Sequence, residues 1–101
     1  MYIVQSIVEV PVDKVEEVIG IYRNRSRTTD TAPGFVAFQL LQNEVKPYEL
    51  TVQTTWENKE AYTAWVTGAD FKRIHDLEKR YPDQELANIK PTIRRYTVQA
   101  E

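Results

Sequence analysis

FVAFQLLQNEVKPYELTVQTTW, residues 35–56, reads as two strands and the polar connector between them. Phe35 to Gln42 is apolar on both alternations, with Val36, Phe38 and Leu40 against Phe35, Ala37 and Leu41. Such a strand expects cover on both of its faces. Glu49 to Trp56 sets Leu50, Val52 and Trp56 opposite Thr51, Gln53 and Thr55. Asn43 to Pro47 between them has the length and polarity of a hairpin connection.

On the N-terminal side, Tyr2 to Val10 reads as a strand that Pro11 ends. Val4, Val8 and Val10 share one face with Ser6, and Ile3, Gln5, Ile7 and Glu9 share the other. Asp13 with Glu16 three residues later resembles a capping box, and Val15, Val18, Ile19 and Tyr22 then repeat at helical spacing. That helix is expected to fade near Thr28 to Asp30, before the Pro33-Gly34 turn. On the C-terminal side, Asn58 is an N-cap candidate for a helix through Val66, interrupted at Gly68. Asp70 is a cap candidate for a further helical segment to Lys79 or Arg80. Tyr81 to Ile89 reads as irregular, and Thr92 to Ala100 as a last strand.

The order strand, helix, strand, strand, helix, strand is that of the ferredoxin-like α+β fold, βαββαβ. Its helices cover one sheet face only. Ile3, Ile7 and the second strand leave apolar groups on the other face, and the chain has no further element to cover them. A second copy is the simplest cover, so a homodimer is expected.

Length and composition narrow the function. The 101 residues suit one domain, 1–101, with a small core. A net charge of −2 gives no whole-domain attraction for nucleic acid or acidic membranes. With no Cys and one His, disulfides, thiolate chemistry and a structural zinc site are excluded. Neither a signal-peptide pattern nor a membrane-length apolar run is present, and the expected location is the cytoplasm.

Few side chains remain that could carry chemistry. His75 is the one side chain of a type whose unperturbed pKa lies near neutrality and the one good metal-ligating nitrogen; its ordinary alternative is a partly buried helical imidazole. Trp65 is either core or a pocket wall, and Trp56 is core. Arg23, Arg25 and Arg27 either complement a helix end or supply a carboxylate anchor, fanned so that at most two could serve one ligand. Arg94 and Arg95 face opposite ways on the last strand. Ser6 is either a satisfied hydroxyl or the floor of a pocket.

Pro33-Gly34-Phe35, Phe38-Gln39-Leu40-Leu41 and Trp56-x8-Trp65-x5-Phe71-x3-His75 together resemble the antibiotic-biosynthesis-monooxygenase superfamily. Within it the pattern is most similar to the IsdG-type haem-degrading monooxygenases. The resemblance implies a dimeric α+β barrel, each subunit contributing a ferredoxin-like half, with haem between helices and sheet. It implies that His75 is the iron ligand, that Trp65 crowds and ruffles the porphyrin with Phe71 beside it, and that Arg25 lies near the propionates. The family carries an Asn on the first strand where this chain has Ser6, a shorter donor that needs a bridging water to reach an iron-bound ligand.

The function implied is oxidative opening of haem with O2 and an external electron donor or reductase, with release of iron. Two alternatives stay open. One is a monooxygenase without a cofactor, acting on a small aromatic or quinol-like substrate. The other is a dimer that holds haem or another flat aromatic without turning it over.

Overall fold

β1 (Tyr2–Glu9) occupies the interior of the sheet because both of its edges are paired. The computed structural model describes residues 1–79 and 83–101. After β1 come a 3-10 turn (Val12–Lys14), α1 (Val15–Arg23), a second 3-10 turn (Thr29–Thr31), β2 (Phe35–Gln42) and β3 (Glu49–Trp56). Then follow α2 (Lys59–Val66), α3 (Ala69–Lys79), α4 (Gln84–Ala87) and β4 (Thr92–Thr97). The sheet is antiparallel with strand order β2-β3-β1-β4, the ferredoxin-like α+β arrangement expected from the order of elements.

Register shows which side chains share a face. Tyr2, Val4, Ser6 and Val8 lie opposite Trp56, Thr54, Val52 and Leu50, and this side meets the helices. Its apolar groups form two clusters. Val10, Val15, Val18, Ile19 and Leu50 make one, and Tyr2, Val4 and Trp56 make the other. The other face of the sheet carries Ile3, Ile7, Leu41 and Tyr96 around a polar ladder. In that ladder Gln5 donates to Gln53 at 2.8 Å and Gln53 donates to Gln39 at 3.3 Å. No described element packs over this face.

The structure departs from the sequence expectation in several places, among them β1 and β4, which end at Glu9 and Thr97 and not at Val10 and Ala100. Asp13 does not cap α1, because Pro11 starts a tight turn in which the Lys14 amide bonds the Pro11 carbonyl at 2.8 Å. α1 then ends at Arg23, where the Asn24 side chain and backbone amides both bond the Gly20 carbonyl. A bulge between Phe35 and Ala37 turns Phe35 onto the helix-facing side, where its ring meets Trp56 edge-on at 5.7 Å. Asp70 lies inside the first turn of α3 and pairs with Arg73 at 3.0 Å, since the Lys72 amide already bonds the Gly68 carbonyl.

The segment expected to be irregular contains α4, capped by the Asp83 carboxylate on the amides of Glu85 and Leu86. Arg80, Tyr81 and Pro82, on which part of that expectation falls, lie outside the described residues. The Asn58 cap is as expected, its side chain accepting from the Ala61 amide at 2.9 Å. Among the described residues no helix is long and apolar enough to cross a membrane.

Candidate functional site

Between the two clusters, on the helix-facing side of the sheet, runs a less buried row, Ile93–Ser6–Val52, one residue from each of β4, β1 and β3. Leu50 and Trp56, toward the two ends of that side, are 0% and 1% exposed, whereas Ile93 is 47% exposed. β4 is an edge strand exposed along its whole length, so the helices leave this end of the face uncovered. Ser6 is half-buried in this row.

A ladder of rings leads from the sheet to α3. Trp56, buried and with its Nε1 donating to Thr54 Oγ1 at 2.9 Å, stacks on Trp65 at 6.5 Å between centroids. Trp65 meets Phe71 edge-on at 6.2 Å, and Phe71 meets the His75 ring at 4.5 Å. The spacing has a local cause. Gly68 joins α2 to α3, its amide donating to the Trp65 carbonyl and its carbonyl accepting from the Lys72 amide, and one helical turn separates Phe71 from His75. The imidazole is exposed, so it is not the partly buried helical histidine of the ordinary reading. Trp65 and Phe71 are half-buried walls.

The arginines are arranged otherwise than their spacing indicated. α1 stops before Arg25 and Arg27, and both turn onto Asp30 instead of fanning apart. Arg25 Nη2 lies 2.9 and 3.2 Å from the two Asp30 oxygens, Nη1 donates to the Ser26 carbonyl, and the guanidinium rests 3.7 Å over the Phe38 ring. Phe38 pairs with Thr54, so this cation also sits on the helix-facing side of the sheet. Arg95 pairs with Val4 and lies on that side too, 5.8 Å from the Tyr62 ring.

Trp65 also borders a second space. An open groove of about 520 Å³ lies between the 31–34 turn and the α2–α3 corner, with Glu57, Ala61 and Asp70 among its walls. His75, Ser6 and Arg25 do not line it. The structure thus groups Trp65, Phe71 and His75 in contact and places Ser6 and Arg25 on the same side of the sheet. Asp30 was not singled out from the sequence, which paired Arg95 with Arg94 as facing opposite ways without saying which faces the helices. Strand register decides that, putting Arg95 in phase with Ser6.

The model of the family described as "Antibiotic biosynthesis monooxygenase" matches residues 1–77. The chain belongs to this family. Family members named as haem-degrading monooxygenases in Bacillus thuringiensis and Bacillus anthracis are 34% identical over 67 residues. That stretch covers 64% of this chain and 63% of theirs, so the chain matches under two thirds of their length. The haem degrader MhuD of Mycobacterium tuberculosis, solved with two haems in its active site, superposes with a TM-score of 0.80. It is 22% identical, over 100% of this chain and 98% of its own. A conserved protein of Methanosarcina mazei superposes at 0.69 and 20% identity, over 94% of this chain and 89% of its own. These two likenesses establish the fold.

Proposed function

We propose that this family member takes haem as its substrate on the helix-facing side of the sheet and opens it oxidatively, using O2 and an external electron donor and releasing iron. The observation that carries the reading is the Trp65–Phe71–His75 ladder, which ends in an exposed imidazole beside two aromatic walls. An imidazole supplies a neutral nitrogen ligand for iron, and flat aromatic walls suit a flat macrocycle. In this reading His75 holds the iron, Trp65 presses on the porphyrin and Phe71 fixes the His75 ring. Ser6 presents its hydroxyl to the ligand through a water. The haem-degrading relatives and the haem-bound neighbour support the same substrate class.

A second reading, haem binding without turnover, is favoured by Ser6, because a distal donor governs whether bound oxygen reacts. The functional unit in either reading is a homodimer closed over the open sheet face, a reading supported by Leu41 and Tyr96, which stand exposed there.

Haemin titration followed by visible absorption, run beside His75→Ala, tests this proposal. A saturable Soret band near one haem per subunit is expected, lost or shifted in the variant. Reductant and O2 with catalase present should then bleach it to an open-chain product. A stable Soret band under those conditions favours the binder, and no specific band in the wild type overturns both readings.

A further inference from the structure

Arg25 and Arg95 stand at opposite ends of one cross-strand row, Phe38–Thr54–Val4–Arg95, with Arg25 stacked on Phe38. Three strand spacings, about 14 Å, separate the outer strands of that row. The resemblance drawn from sequence points to Arg25 as the group near the ligand's carboxylates. Its surroundings point elsewhere. Its side chain is 15% exposed, both oxygens of Asp30 lie on one nitrogen, and the Ser26 carbonyl takes another. A second carboxylate brought to this cation would also meet the negative charge of Asp30 a few ångströms away.

Arg95 differs on each count. It is exposed, and among the described residues no carboxylate pairs with it. Its guanidinium lies toward the Tyr62 ring, which is itself held by Tyr2 at 5.8 Å and Trp56 at 5.9 Å. A ring seat of that kind orients a guanidinium while leaving its N–H edges free. Two residues earlier on the same strand face, Ile93 offers a half-exposed apolar surface beside it. Arg94, by strand alternation, faces away on the Gln5 side.

We propose that Arg95 is the anion anchor of this site, selecting flat aromatic ligands that carry a carboxylate at their edge, and that Arg25 is a structural cation. This rests on the function proposed above. A guanidinium–carboxylate pair needs only the ligand's acid group, not its metal, so metal-free porphyrin isolates it from His75.

The test is quenching of tryptophan fluorescence by protoporphyrin IX and by its dimethyl ester, for wild type, Arg95→Ala, Arg95→Lys and Arg25→Ala. Arg95→Ala is expected to weaken binding of the diacid roughly tenfold and leave the ester unchanged, with Arg95→Lys between. Raised salt should narrow the gap between diacid and ester in the wild type and not in Arg95→Ala. Equal losses for both porphyrins in Arg95→Ala, or a diacid-specific loss in Arg25→Ala alone, overturn the assignment and leave haem binding standing. If the wild type binds neither porphyrin nor haemin, the proposed function falls and Arg95 with it.

Discussion

Gly34 is the residue at which backbone geometry and packing both refuse a side chain. It has φ +82°, and a Cβ there would stand 2.5 Å from that of Ala61. Its carbonyl accepts from the Glu57 amide at 2.8 Å, so the turn cannot swing away without losing that bond. Gly34→Ala is therefore expected to cost about 2–4 kcal/mol, from left-handed strain and overpacking together. Urea unfolding measures it, and an unchanged midpoint would show that the turn relaxes freely. The Pro33-Gly34 turn was readable in the sequence because those two residue types have few other uses. Trp65, Phe71 and His75 were readable too, since helical spacing alone brings the last two together. The ion pair between Arg25 and Asp30 was not, because it depends on where α1 stops.

At the scale of elements, Lys14 ties the start of α1 to α4. Its ammonium lies 2.7 Å from Asp83 Oδ2 and 2.8 Å from Glu85 Oε2, and Asp83 is also the α4 cap. α4 in turn lays Leu86, with Ile89 just beyond it, against the α1 cluster. Hydrogen bonding to Lys14 is the chief cause that holds the Asp83 carboxyl below its usual 3.8; the hydrogen bond to Asp83 is the chief cause that raises Lys14 above its usual 10.5. The Asp83 contribution is thus complete above about 4 and is lost as the pH falls through the lowered value; the Lys14 contribution is complete below about 10 and declines as the pH rises beyond it. Lys14→Met should lower the urea midpoint between these limits, with the gap to wild type closing in acid. A gap that is constant from pH 7 to pH 2 would show that the ion pairs contribute nothing. Sequence periodicity missed α4 because a four-residue helix has no period to read; its cap, Asp83, was the only local signal.

For the molecule as a whole, the open sheet face is the largest unsolved packing problem that the single chain presents. Ile3, Ile7, Leu41 and Tyr96 lie there with the Gln5–Gln53–Gln39 ladder running through them. A second copy covering this face predicts that wild type sediments as a dimer and that Ile7→Glu, which places a charge at its centre, sediments as a monomer. Sedimentation velocity distinguishes the two, and a monomeric wild type would overturn the dimer. The amino-acid sequence by itself determined the order of the strands and of the three longer helices, the alternation of β1, β3 and β4 and the amphipathic stripe of α1, because these follow from periods of 2 and 3.6 residues. It also determined that one sheet face would lack cover, since element order limits how many layers a chain can build. Only the tertiary structure decided the bulge that turns Phe35 inward, the uncovered edge strand that leaves Ile93 open, and which of two arginines keeps its charge available. Each of these depends on register and on contacts between residues far apart in the chain, and a local pattern carries no information about either.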